Sequence, residues 1–214
     1  MADLPSLIDL PYRLENAPAG QDNSDQFPES LPRYFIDHFT KKGDKVFDPF
    51  LGFGTTAFSA EKAGRLPYGI EADRARFEWA AGQLTHWNQI IHGDSALMND
   101  YKFPKMDFCF TSPPYMPCHH KWNPLYGGDP QYAGYDCYLA QMGVIFAQLA
   151  RVMKKNSYIV VQADNLPGKR YTPLVRDLSL AISKSFQPRA ESIIKWKNSK
   201  SDYPYTHCLV FKAI

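Results

Sequence analysis

The run Asp107–Thr111 leads into Ser112-Pro113-Pro114-Tyr115, a combination of residue types that can grip an amino group. Two consecutive prolines have no backbone N–H to donate and stiffen the chain, which leaves carbonyl oxygens free to accept. The Ser112 side chain and the Pro113 carbonyl can take the two hydrogens of one NH2 group, and Tyr115 can stack on the ring that carries it. An exocyclic amine of a nucleic-acid base is a weak nucleophile because its lone pair is delocalised into the ring. Holding both hydrogens out of the ring plane localises the pair, and in-line alignment with an electrophilic methyl carbon can supply several kcal/mol of the barrier. That displacement requires no metal and no covalent intermediate. The plainer alternative is a rigid loop closing a strand, with Tyr115 as a surface aromatic.

A second constellation precedes it. Val46-Phe47-Asp48 runs into PFLGFGTT, so Gly52 and Gly54 fall in a strand-to-helix turn where the backbone bends sharply and can approach a ligand. The spacing is not the full GxGxxG of dinucleotide sites and no GK[ST] follows, which disfavours nucleotide hydrolysis. Glu71 ends the next strand, where a carboxylate can accept from both hydroxyls of a ribose, and Asp94 ends the third. Acidic groups at three successive strand ends repel a pyrophosphate. They suit a ligand with a ribose and a cationic remainder, such as an adenosyl sulfonium with an amino-acid tail. Taken singly, each of these features is an ordinary turn or a solvated strand end; their order and placement favour a nucleoside-type cofactor.

The elements that must position these residues alternate. Ser30 can cap a helix through LPRYFIDHFTKK, which Gly43 ends. Strands at 46–48, 68–71, 90–92, 107–111 and 158–162 alternate with helices at 55–63, 74–87, 138–153 and 173–185. Helix 138–153 reads as core packing through Leu139, Met142, Ile145, Phe146, Leu149 and Val152. The β-rich runs 192–196 and 207–211 lie too close for an intervening helix and suit an antiparallel hairpin at one sheet edge. The expectation is an α/β fold with a doubly wound, mostly parallel sheet of about seven strands and an antiparallel edge hairpin, its ligands at the C-terminal strand ends. Residues 1–25, rich in Pro, Asn, Asp and Gly, are expected to form an irregular arm, and 26–214 a single domain.

With 214 residues, 44% of them hydrophobic, the chain is long enough for one well-buried domain and short for two. The net charge of +2 neither demands nor excludes a polyanionic partner. Cys109, Cys118, Cys137 and Cys208 form no CxxC pair, and no signal peptide or membrane span of roughly 20 apolar residues is apparent. A reduced, cytoplasmic protein with no membrane association is the expectation.

On these motifs the sequence resembles the DNA amino-methyltransferases, the cytosine-N4 and adenine-N6 enzymes of restriction-modification and related systems. FPESLP resembles motif X, DPFLGFGTT motif I, GIEAD motif II, HGDS motif III and TSPPY the catalytic motif IV, in the order X, I, IV. KKNSYIVV and YTHCLVFK resemble later strands of that Rossmann-like methyltransferase fold. The resemblance implies S-adenosyl-L-methionine as cofactor. Asp48, Pro49, Phe50, Gly52, Gly54, Thr55 and Thr56 would surround its methionine part, Glu71 its ribose, and Asp94 and Ser95 its adenine, with Phe27, Pro28 and Ser30 contributing from motif X. Ser112, Pro113, Pro114 and Tyr115 would be catalytic. Serine at the head of SPPY resembles the cytosine-N4 enzymes, so cytosine-N4 in DNA ranks first. Adenine-N6 in DNA, an RNA or tRNA base, and a catalytically silent nucleic-acid-binding module follow.

These enzymes usually carry a sizeable target-recognition region, for which only 116–134, 165–172 and 197–206 are candidates here, so a protein partner for recognition is one option. The 116–134 loop, with Cys118, His119, His120, Lys121 and Trp122, fits a substrate-facing lid better than a metal site, because adjacent histidines are poorly spaced for zinc. A solvated loop is its bland alternative. Lys169, Arg170, Lys195, Lys197 and Lys200 are placed to touch phosphates, although scattered lysines are usually solvated surface.

Overall fold

The computed structural model describes residues 4–15, 26–198 and 204–214. Eight strands form one sheet: β1 (Leu7–Pro11), β2 (Lys45–Asp48), β3 (Leu66–Glu71), β4 (Ile90–His92), β5 (Met106–Thr111), β6 (Met153–Ala163), β7 (Gln187–Lys197) and β8 (Tyr205–Lys212). Their spatial order is β1-β7-β8-β6-β5-β2-β3-β4, and only β8 runs against its neighbours. The helices are α1 (Ser30–Phe39), α2 (Thr55–Lys62), α3 (Arg74–Gln83), α4 (Tyr135–Val152) and α5 (Leu174–Ile182).

Alternation along the central strands assigns the layers. Phe108 and Phe110 of β5 face Phe35 and Ile36 of α1, while Cys109 between them faces the cluster built on Met142, Phe146 and Leu149 of α4. Ile159 and Val161 of β6 join the α4 and α5 side, and Val160 joins the α1 side. A sheet buried on both faces explains why these strands are continuously apolar rather than alternating with polar residues. A smaller cluster packs Leu51 and Phe58 against Ala80 of α3.

Several expectations need correction, beginning with the strand count, which is eight rather than about seven. The arm expected to be irregular over 1–25 contains β1, which pairs in parallel with β7 from Leu7↔Ile193 to Pro11↔Lys197. Ile8 is buried, and Tyr12 packs edge-on against Trp196 at 5.4 Å. Pro5 and Pro11 flank the run and disguised it as a loop, yet an edge strand tolerates proline because its outer N–H groups need no partner. Residues 1–3 and 16–25 of that arm lie outside the described residues. The hairpin of β7 and β8 is consequently not at the edge: β8 sits between β6 and β7, and β1 covers β7.

Ser30 does not cap α1 through its side chain. It is the first helical residue, and its hydroxyl donates to the Pro11 carbonyl at 3.0 Å, tying the helix to the end of β1. α4 begins at Tyr135, earlier than position 138, with Gly134 ahead of it at φ +97.

Candidate active site

All strands except β8 point their C-terminal ends to one edge of the sheet, and there the first glycine turn is built. After β2 the chain passes through Leu51 to Gly54, both glycines in the left-handed region: Gly52 at φ +56 and Gly54 at φ +86. A side chain on Gly52 would meet nothing within 4 Å, so its outer face borders open space. One on Gly54 would press on Ala80 and Phe58 at 3.2 Å, so this glycine brings the turn against α3. Gly69 in β3 permits the same closeness beneath, where a Cβ would stand 2.9 Å from the Asp48 carbonyl oxygen and 2.8 Å from Leu51.

Asp48 is buried at 1% exposure, and its Oδ1 accepts from the Thr111 hydroxyl at 2.6 Å and from the Phe50 N–H at 3.0 Å. Burial pushes its pKa up to about 6, against the pull of those hydrogen bonds and with a small addition from the Glu71 charge. The Thr111 bond joins the two constellations directly, because Thr111 is the residue before Ser112. Glu71 lies across the turn. Its two oxygens accept from Gly52 N–H at 2.6 Å and Asp73 N–H at 2.8 Å, and burial again raises its pKa. Asp94 is exposed, caps the following turn by accepting from Ala96 N–H at 2.8 Å, and receives the Tyr101 hydroxyl on its carbonyl at 3.1 Å. Ser95 is buried and donates to the Pro49 carbonyl, clasping the third strand end to the glycine turn. Pro49, Thr55 and Thr56 are buried in the same turn, with Phe50 half-buried beside them. Phe27 packs edge-on against Phe110 at 5.5 Å and Pro28 is buried at the head of α1, so motif X lies against β5. The structure thus brings Asp48, Gly52, Glu71 and Ser95 into one bowl, while the hydroxyl of Ser30 is engaged by β1.

The Ser112–Tyr115 segment leaves β5 next to this bowl. The Pro114 carbonyl accepts from the Tyr138 hydroxyl at 2.9 Å, whereas among the described residues no group donates to the Pro113 carbonyl. Tyr138 is fully buried. Its helix was read as core packing alone, and that reading missed the hydroxyl that holds the Ser112–Tyr115 loop at Pro114. Tyr115 is half-buried with its hydroxyl turned inward toward Ser112 and Gln162, and burial with the nearby Asp164 charge pushes that hydroxyl well above the ordinary range. Asp164, just past β6, accepts on Oδ2 from Gln162 Nε2 at 3.0 Å and from Thr206 Oγ1 at 2.8 Å. This polar floor was not singled out from the sequence. Its signal was present in the polar residues that follow the apolar run of β6 at its C-terminal end.

The 116–134 loop is fixed by its own contacts. Buried Asn123 donates to the Tyr132 carbonyl at 2.9 Å and accepts from Leu125 N–H at 3.1 Å, and Tyr126 stacks on Tyr132 at 4.1 Å. Cys118 N–H donates to Thr172 Oγ1 at 2.8 Å, joining the loop to the 165–172 segment. The 197–206 turn and Lys200 fall partly or wholly outside the described residues. No group of three or more His, Cys, Asp or Glu placed to hold a metal occurs among the described residues, and none of their helices is long and apolar enough to cross a membrane.

A mostly parallel doubly wound sheet with a glycine turn after the central strand and acidic groups at successive strand ends is the Rossmann-like methyltransferase fold. Its structural likeness extends to TrmN from Thermus thermophilus, with a TM-score of 0.63 at 15% identity over 87% of this chain and 49% of that one. Around the glycine turn, residues 11–82 match the N6/N4 methyltransferase family described as DNA methylase. A stretch of 49 residues is 47% identical to the type II methyltransferase M.MjaI of Methanocaldococcus jannaschii, covering 23% of this chain and 16% of that protein. Another of 66 residues is 35% identical to M2.DpnII of Streptococcus pneumoniae, covering 29% of this chain and 25% of the relative. The matched stretches therefore span a quarter or less of these curated relatives.

Proposed function

We propose that this chain transfers a methyl group from S-adenosyl-L-methionine to the exocyclic amine of a DNA base, with cytosine-N4 ahead of adenine-N6. The observation that carries this reading is the 2.6 Å bond from Thr111 to Asp48, which couples the acidic glycine-turn bowl to the Ser112-Pro-Pro-Tyr115 loop.

The bowl fits the cofactor: Gly52 leaves open space, and Asp48 and Glu71 offer carboxylates to a cation and a ribose. Bound there, the cofactor supplies an electrophilic methyl on a positively charged sulfur. Glu71 keeps both oxygens on backbone N–H groups and retains lone pairs for the ribose hydroxyls. Asp48 steers the cationic end, and ionises more readily once a positive charge lies beside it. On the other side, the free Pro113 carbonyl and Ser112 hold the two amine hydrogens, and the Tyr115 ring supports the base after it has left its stack. Held this way, the amine nitrogen would present its lone pair to the methyl group the cofactor supplies, and the surplus amine proton would leave from Ser112 or the Pro113 carbonyl to water. Tyr138 and the prolines keep the acceptors in place, so little reorganisation is needed at the moment of transfer.

Serine at position 112 supports cytosine over adenine. The test is incubation with methyl-labelled cofactor and separate DNA and RNA pools, followed by nucleoside mass spectrometry. N4-methylcytosine is the expected product. N6-methyladenine in DNA would overturn the base assignment, label only in RNA would overturn the substrate, and an unlabelled set despite measurable cofactor binding would favour the silent module.

A further inference from the structure

The 116–134 loop and the 165–172 segment meet where Cys118 contacts Tyr171 and Thr172, and the side chains they display together have no part in the chemistry above. Leu166 and Thr172 form an antiparallel bridge, with N–H to carbonyl distances of 3.1 and 3.0 Å, closing a tight turn that leaves Pro167 to Tyr171 exposed. Thr172 is fully buried, and its hydroxyl receives the Cys118 N–H at 2.8 Å, while the Cys118 thiol lies 3.7 Å from the Tyr171 carbonyl. The two tips, 118–122 and 167–171, are thereby fixed side by side.

Their chemistry is uniform. Lys121, Lys169 and Arg170 are exposed and make no ion pair among the described residues, and His119 and His120 are exposed beside them. No Asp or Glu occurs over 116–128 or 165–176. Trp122 is 59% exposed and Tyr171 60% exposed, large ring areas to leave in water. Trp122 is also held in place. A Cβ on Gly128 would fall 2.0 Å from its Nε1, so the indole lies directly over a backbone that only glycine provides, at φ +81. The tip is coupled to the reaction site through few bonds. The Lys121 carbonyl accepts from Gly134 N–H at 3.0 Å, the Gly134 carbonyl accepts from Tyr138 N–H at 3.1 Å, and the Tyr138 hydroxyl holds Pro114.

We propose that these two tips form the surface that holds the DNA strand flanking the target base, with Lys121, Lys169 and Arg170 on backbone phosphates and Trp122 as a stacking platform for an unstacked base. Unpaired cations interleaved with rigid, exposed aromatics match what a nucleic-acid strand offers, namely a regular row of phosphates and bases with open π faces. The assignment rests on the methyltransferase reading for the identity of the target base.

The test is fluorescence-anisotropy titration of a mixed-sequence 20-base-pair DNA duplex and of a single-stranded RNA of equal length, at several salt concentrations. Cofactor affinity is measured in parallel on every protein. The full chain is compared with the triple variant Lys121→Ala, Lys169→Ala, Arg170→Ala, and with a control triple of exposed lysines at the opposite sheet edge, Lys41→Ala, Lys42→Ala, Lys184→Ala. The site triple is expected to bind duplex DNA roughly ten- to a hundredfold more weakly, with the slope of log K against log salt reduced by about 2 to 3. Cofactor affinity should hold, and the control should behave as the parent. Trp122→Ala is expected to weaken binding by roughly tenfold without changing the salt slope. Equal losses in both triples, no duplex binding by the parent protein, or binding of RNA alone would each overturn the proposal. Tip-dependent DNA binding with no methyl transfer would leave this surface standing and remove the catalytic reading.

Discussion

Replacing Asp48 by Asn tests the electrostatics of the bowl directly. Burial holds the Asp48 carboxyl at a pKa of about 6, against 3.8 for an ordinary aspartate, so the fold favours the neutral acid. The sign follows from linkage. Between those two values the unfolded chain has released a proton that the folded chain still holds, so stability contributed by this group is complete below pH 3.8 and is lost as pH rises through 6. The full loss is about 3 kcal/mol, the difference of 2.2 in pKa taken at about 1.36 kcal/mol per unit. Roughly half of it falls between pH 5 and 7.5. Asparagine can keep both bonds, because Thr111 and Phe50 donate to the same oxygen, Oδ1, which the amide carbonyl can replace. Urea denaturation of parent and Asp48→Asn proteins without cofactor should therefore show the variant gaining on the parent as pH rises from 5 to 7.5. The same variant should bind the sulfonium cofactor weakly at every pH, whereas the parent's affinity should fall as pH drops below 6. A stability difference that stays flat across this range would refute the argument that a desolvated carboxyl sits at this strand end.

Tyr115→Ala should lower methyl transfer by about ten- to a hundredfold, from a stacking loss of roughly 1–3 kcal/mol, while leaving cofactor affinity nearly unchanged; single-turnover rates and equilibrium dialysis separate the two. Tyr115→Phe should retain most of the rate, since the hydroxyl is turned inward and the ring does the stacking; a Phe variant as slow as Ala would move the role to the hydroxyl. Gly69→Ala should cost about 1–3 kcal/mol in thermal or denaturant unfolding, because its Cβ meets, besides the Leu51 side chain at 2.8 Å, the Asp48 carbonyl oxygen at 2.9 Å, a backbone atom that cannot move aside as a side chain can. Unchanged stability would show that the glycine turn is looser than this packing requires.

What the sequence disclosed follows from how local each feature is. The central strands, the glycine turn and the Ser112–Tyr115 loop each carry their cause within a few residues, as apolar runs, positive-φ glycines or paired prolines, and they were legible. β1 was not, because its pairing is supplied by β7, more than 180 positions away, and its own run LIDLP buries only Ile8 fully. The position of the hairpin failed for the same reason: whether β7 is an edge depends on a strand that local pattern cannot reveal.

The site shows the same division at finer scale. Asp48, Glu71 and Asp94 were identified by type and by strand-end position, but the atoms that fix the geometry are Thr111, Tyr138, Gln162 and Thr206, whose partners lie 24 to 63 residues away. Tyr138 is the instructive case. Its spacing with Met142 and Phe146 marks it as core, and its ring is core, yet its hydroxyl reaches past the cluster to the Pro114 carbonyl. A hydrophobic pattern records which face a residue turns inward and says nothing of where the last polar atom of that residue ends. For the same reason, two short loops meeting at Thr172 can assemble a charged and aromatic surface that neither loop announces by itself.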